Sequence, residues 1–236
     1  MINRHSVVTA ICAAFALSAC NVNVASNGPE QHESHSVDLD KSEKVHARFK
    51  MPMGDLKMSG GADKLMDADF NYNVAAWKPD IRYTASGNSG DLVVEQNGPK
   101  SSLGGAKNRW DMRLNDSVPM DLDIQFGAGD ADLKFGSMNL RGLNLEMGAG
   151  DLRLDLRGTP KKDYSVRVRG GAGDATIYLP KGVGISAIAK GGLGDVSVQG
   201  LHKSGDRYVN DANETAAVRV DLDIQGGVGS ISLNAE

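Results

Sequence analysis

A four-residue turn signature returns at nearly constant spacing along the second half of this 236-residue chain, and no other feature limits its fold as strongly. Gly127-Ala128-Gly129-Asp130, Gly148-Ala149-Gly150-Asp151, Gly171-Ala172-Gly173-Asp174 and Gly192-Leu193-Gly194-Asp195 recur, and Gly227-Val228-Gly229-Ser230 closes the series. The four aspartates are 21, 23 and 21 residues apart. Self-similarity at such a period is the signature of a stacked architecture. Around each turn, apolar residues alternate with polar ones at the period of a strand. Leu122, Ile124 and Phe126 precede the first turn and Leu133 and Phe135 follow it, with Asp121, Asp123 and Gln125 on the opposite face. Leu143, Leu145 and Met147 flank the second turn with Leu152, Leu154 and Leu156; Tyr164, Val166 and Val168 flank the third with Ile177 and Leu179.

A short strand with one apolar face is unstable alone, but stacked coils bury all such faces in one continuous core. The sequence therefore predicts an all-β chain folded as a single-stranded parallel β-solenoid, or β-helix, with coils of about 21 residues over 115–236. Right-handed coiling is expected from the crossover rule. A β-sandwich is the alternative, since short strands between turns suit it as well. The glycines are expected to supply positive φ or close backbone approach at each corner.

Stacked aspartates raise the question of calcium, which Gly-x-Gly-x-Asp repeats bind in β-roll proteins. Those repeats return about every nine residues, whereas here no second carboxylate recurs at a fixed offset to complete a set of about six to eight oxygens. Asp130, Asp151, Asp174 and Asp195 are instead expected to accept backbone N–H bonds in Asx-type turns, a role that Ser230 can share. No metal and no cofactor are expected.

The first residues carry a different message. Leu17-Ser18-Ala19-Cys20 resembles the lipobox at which bacterial lipoproteins are cleaved and acylated, and it follows Arg4 and an apolar stretch from Val7 to Leu17 that is too short to span a bilayer. Residues 1–19 are read as a signal peptide and Cys20 as the lipidated residue. Because Cys12 lies in the removed segment, no free thiol would remain. Loss of Arg4 moves the formal charge from −4 to −5, which argues against nucleic acid and leaves the lipid as the membrane anchor. Asn21 stands where inner-membrane lipoproteins of Gram-negative bacteria carry Asp. That resemblance implies the outer membrane, facing the periplasm, with the Gram-positive surface as the alternative. Residues 20–36 are polar and read as a flexible tether in which His32 and His35 are solvated.

Residues 37–114 read as a less regular β region that caps the solenoid, with Gly54 to Gly61 as a degenerate first rung. It carries Met53-Gly54-Asp55-Leu56-Lys57-Met58-Ser59-Gly60-Gly61, Leu65-Met66-Asp67-Ala68-Asp69-Phe70, Trp77-Lys78-Pro79 and Asn108-Arg109-Trp110-Asp111-Met112-Arg113-Leu114. Together with Val118-Pro119-Met120-Asp121-Leu122 and the glycine turns, this order over about residues 45–180 resembles the toast-rack family of bacterial envelope proteins. The resemblance implies a β-solenoid, often membrane-associated and in some relatives linked to envelope-stress signalling. It implies no catalytic residues. Trp77 and Trp110 are read as packing anchors rather than ligand-stacking rings. Residues 201–215 read as an inserted polar loop, where binding often resides. Ile231 to Leu233 reads as an open C-terminal edge through which copies could associate.

No Gly-x-Ser-x-Gly elbow, phosphate loop, Cys-x-x-Cys or His-Glu-x-x-His is present. Paired carboxylates such as Asp121 and Asp123 are what a solvated strand face needs. The expectation is a non-enzymatic, envelope-anchored protein that binds or senses an envelope protein or glycan. A structural, adhesin-like protein that self-associates is the alternative, and a carbohydrate-active enzyme follows only by analogy of fold.

Overall fold

The computed structural model describes residues 27–98 and 104–235. In the first part of the chain lie β1 (Gln31–Val37), β2 (Lys44–Met53), β3 (Asp55–Ala62), β4 (Met66–Tyr72), β5 (Pro79–Ser86), β6 (Ser89–Gln96) and β7 (Asn108–Asn115). The repeat region forms β8 (Met120–Ala128), β9 (Ala131–Lys134), β10 (Leu140–Ala149), β11 (Leu152–Asp155), β12 (Tyr164–Ala172) and β13 (Ala175–Tyr178). Then follow β14 (Gly184–Lys190), β15 (Val196–Gln199), β16 (His202–Ser204), β17 (Arg207–Val209), β18 (Arg219–Gln225) and β19 (Ile231–Asn234). Among the described residues the one helical element is a 3-10 turn at Ala75–Trp77.

Each coil gives one strand to each of two sheets that face each other across the core. One sheet runs β1-β4-β7-β3-β9-β11-β13-β19-β15 and the other β5-β6-β2-β8-β10-β12-β18-β14-β17-β16. Pairing is parallel through the interior, as a β-solenoid requires, and antiparallel only in the end strands. In-register stacking turns the apolar half of each strand into a column. Ala47, Leu122, Leu143, Val166, Leu222 and Ala187 form one, and Met58, Leu133, Leu154, Ile177 and Leu233 form another on the facing sheet. All of these are buried in one cluster. Each such side chain contributes about 1.5–3 kcal/mol by leaving water, which is how coils too short to fold singly become stable together.

The order of coils in space departs from their order in the chain at both ends. The coil of β2 and β3 precedes β6 and β7 in sequence, yet it lies between them and the coil of β8 and β9. Gly54 to Gly61 is thus an interior rung, not the first. At the other end the chain runs out to β14 and β15, folds the β16–β17 hairpin over β14, and returns to insert β18 and β19 behind them. The C-terminal strand therefore has a neighbour on each side, β13 and β15. Ile231 to Leu233 is no open edge, and self-association through it has no exposed backbone to use.

Two further expectations are corrected. Residues 201–215 are not a projecting loop, because β16 and β17 close the end of the ten-stranded sheet. Asn210 then fastens the returning chain, accepting the Ile185 N–H at 2.9 Å and donating to the Val183 carbonyl at 2.7 Å. The tether is shorter than its composition implies, since Gln31 to Val37 forms β1, paired antiparallel with β4. A polar strand can pair there because an edge needs backbone bonds and not an apolar face. Side chains add to the pairing: Ser34 donates to Asp69, and Glu33 accepts from Tyr72 at 2.7 Å and Lys78 at 2.8 Å. His32 lies 2.7 Å from Asn71 Oδ1, and His35 lies 3.1 Å from Glu33, so neither is a free linker side chain.

Candidate functional site

Two sets of residues bear on function, the corner columns and a polar trough; Cys20 and residues 1–19, expected from sequence to be a lipidated cysteine and its signal peptide, lie outside the described residues. At the corners, the first glycines (Gly127, Gly148, Gly171, Gly227 and Gly192 in stacking order) sit backbone against backbone. A Cβ on Gly148 would lie 2.3 Å from the Gly127 carbonyl oxygen. The second glycines (Gly129, Gly150, Gly173, Gly229 and Gly194) have φ of +112° to +141°, which L side chains rarely adopt. The residue between the two glycines projects outward: Ala128, Ala149, Ala172, then Val228 and Leu193, the last 73% exposed.

The aspartates bond between coils rather than within their own turns. The Asp174 N–H donates to the Asp151 carboxylate at 3.0 Å and the Ser230 N–H to the Asp174 carboxylate at 2.7 Å; Asp151 N–H reaches Asp130 at 3.4 Å. Asp195 belongs to the outermost coil, where its carbonyl accepts the Ile231 N–H at 2.9 Å. These oxygens are occupied as a ladder along the stack. Among the described residues no group of three or more His, Cys, Asp or Glu is arranged to hold a metal ion.

On the outer face of the ten-stranded sheet, a trough of about 550 Å³ crosses β8, β10, β12 and β18. Its floor forms because Gly142 and Ser165 are the small residues in the row running from Asp121 to Asp221. The next row along the strands is Asp123, Asn144, Arg167 and Asp223. Most of these polar groups are held in place. Asn144 donates to Asp123 at 3.3 Å, and Arg141 pairs with Asp121 at 3.0 Å. Arg207 reaches back from the hairpin to Ser186 and, at 3.0 Å, to Asp221. Arg169 bonds Asp223 at 2.8 Å and holds that carboxyl below the usual range. Fixed donors and acceptors of both signs on a rigid sheet suit a polar, extended ligand.

Sequence reading names the corners but not the trough, because Gly142, Arg167 and Arg207 belong to no motif and meet only through register. It also passes over the second corner of the coil. There Gly136 and Gly158 stack so closely that a Cβ on Gly158 would lie 1.8 Å from the Gly136 oxygen. Trp77 and Trp110 are 1% and 0% exposed, with Trp110 edge-on to Phe70 at 5.3 Å between ring centres, so neither can stack on a ligand.

A family model described as the N-terminal domain of toast_rack, DUF2154, matches residues 26–178. The chain belongs to the toast-rack family. A crystal structure of a candidate cell adhesion protein from Clostridium sporogenes is 32% identical, with a TM-score of 0.83, and the match covers 88% of this chain and 100% of that one. A candidate adhesin from Bacteroides fragilis matches over 88% of this chain and 99% of that one, but at 12% identity and a TM-score of 0.33 it is too distant to bear on the toast-rack chain. No curated protein matches.

Proposed function

We propose that this toast-rack protein is a non-catalytic envelope protein, anchored by a lipid on Cys20, that binds an envelope component, protein or glycan, through the trough around Gly142. The observation that carries the reading is the likeness, over 88% of this chain, to a structure named for cell adhesion, which supports a surface role without chemistry. The trough supplies the place: a pre-organised polar surface loses little entropy on binding. The anchor supplies orientation. Asn27 lies seven positions after Cys20, a reach of about 25 Å at most, and it bonds Gly104 beside β7. The membrane end of the stack is then the end bearing β1 and β5, with the β15–β17 end pointing away. The outer membrane, facing the periplasm, is the proposed site.

The test is saturable binding of the chain from residue 20, carrying Cys20→Ala, to isolated cell envelopes. Arg167→Glu reverses an exposed trough charge without touching the core. A loss of about tenfold in affinity supports the trough as the binding face. Unchanged binding, or none by the unaltered chain, overturns it.

A further inference from the structure

The strands beneath the trough divide it into even steps. One row of outward residues runs His46, Asp121, Gly142, Ser165, Asp221 and Ser186 across β2, β8, β10, β12, β18 and β14. The next row runs Arg48, Asp123, Asn144, Arg167, Asp223 and Ile188. Neighbours in a row stand one strand spacing apart, about 4.8 Å. His46 and Ser186 are thus separated by five steps, about 24 Å along the stack. Arg207 stands across the far end, bonded to Ser186 and Asp221.

Such spacing separates one class of polymer from another. An extended peptide laid along the rows advances about 3.3 Å per residue, so its side chains on one side recur about every 6.6 Å and fall out of step with the strands. A chain of pyranose rings joined through equatorial bonds advances by close to one strand spacing per ring, so each ring meets the same pair of rows. The walls also suit a sugar better than a protein. Among the described residues the exposed large apolar side chains are Leu39, Leu193 and Val228, and none of them lines the trough. Protein interfaces are centred on aromatic or aliphatic anchors, which this surface lacks. It offers carboxylate, amide and guanidinium groups instead, the acceptors and donors that ring hydroxyls satisfy. Four aspartates against Arg167, Arg207 and His46 argue against an acidic or phosphate-bearing polymer.

We infer that the trough holds an uncharged glycan chain of equatorially linked rings, lying along the stack with one ring per strand. The inference rests on the trough being the binding face. No aromatic side chain lines the trough to stack on a ring face, so the rings stand edge-on with their hydroxyls toward the two rows. Gly142 and Ser165 supply the depth, and Asp123, Asn144 and Arg167 supply an acceptor, an amide and a cation on successive strands. Asn144 already donates to Asp123 at 3.3 Å, which fixes both groups before a ligand arrives. The steps from His46 to the Arg207 wall limit the bound stretch to about five rings.

The test titrates the chain from residue 20, carrying Cys20→Ala, with chitin oligomers of increasing length. Affinity measured by calorimetry is expected to rise with each ring and level off at about five. Maltose-series oligomers, whose axial linkages curl the chain, should bind at least about tenfold more weakly at equal length. Gly142→Gln fills the floor, and a Cβ there meets nothing nearer than Asp121 Oδ1 at 3.4 Å, so the melting temperature should hold while chitin-oligomer binding falls about tenfold. Ser165→Gln, at an exposed position one strand on, should act alike. Isolated envelopes separate this inference from the reading beneath it. Binding that Arg167→Glu weakens, that survives protease and that is lost after enzymatic cutting of equatorially linked glycan supports both. Binding that Arg167→Glu weakens but protease abolishes keeps the trough and overturns the glycan, as does the absence of length-dependent oligomer binding. Oligomer binding that neither Gly142→Gln nor Ser165→Gln weakens overturns both.

Discussion

The Ser230 N–H donates to the Asp174 carboxylate at 2.7 Å, although the two residues are 56 positions apart and the Gly192 to Asp195 turn lies between them in the chain. Their contact marks where the last coil enters the stack, behind the coil that precedes it in sequence. Asp174→Ala should remove a charge-assisted bond at an exposed corner and cost about 1 kcal/mol, whereas Asp174→Asn retains an acceptor and should cost less. Thermal unfolding of the two variants checks this order. Equal losses would mean that the carboxylate does not carry the link between coils.

Corner glycines should differ sharply in tolerance. At Gly150 an added Cβ would stand 2.0 Å from the Gly129 oxygen, with φ at +112°, so Gly150→Ala must separate two coils and should cost more than about 4 kcal/mol. Gly182 also has positive φ, at +72°, but open space around it, and Gly182→Ala should cost about 1 kcal/mol. Chemical denaturation of both measures the contrast. Similar costs would show that strain in φ, and not contact between coils, sets the requirement.

Docking of β1 should depend on pH. Bonds from Lys78, Tyr72 and His35 hold the Glu33 carboxyl down to about 2, from an ordinary 4.5. A group with a lowered folded value stabilises above its unfolded pKa and loses that contribution as pH falls toward the folded one. Protection of the β1 amides should therefore weaken between about pH 4.5 and 2, and Glu33→Gln should flatten the response. Burial, with Glu33 beside it, pushes Tyr72 up to about 12, so its share persists below pH 10 and fades above. An unchanged acid profile in Glu33→Gln would contradict this.

Truncation after Val218 removes β18 and β19. In a solenoid stacked in chain order that deletion would shorten the molecule by one terminal coil and leave the rest folded. Here it takes out an interior coil and separates β12 and β13 from β14 and β15. The expected result is loss of cooperative structure throughout that end by circular dichroism. A shortened but native-like protein would refute the order of coils.

Much of the coil interior was legible in the chain, because Leu122, Ile124 and Phe126 and their counterparts alternate at period two and the glycines punctuate them. The stacking order was not. Every coil presents the same apolar columns and the same turn, so Leu222 beside Val166 and Leu222 beside Ala187 look equally good from sequence, and the structure uses both. β1 was hidden for the opposite reason: up to Val37 it is polar on both faces, and only pairing with β4 makes it a strand. The trough depends on side chains gathered from β8, β10, β12, β17 and β18, whose adjacency follows from that same unreadable order.

The fold, the protected hairpin end and the free edge at β15 all rest on the coil of Arg219 to Asn234 lying inside the stack. Amide hydrogen exchange of the intact chain, compared between Ile231–Asn234 and Val196–Gln199, tests this directly. The outward amides of Val196 and Val198 should exchange fast, while the β19 amides stay among the slow core. Fast exchange in β19 with slow exchange in β15 would place the C-terminal strand at the edge and contradict the account.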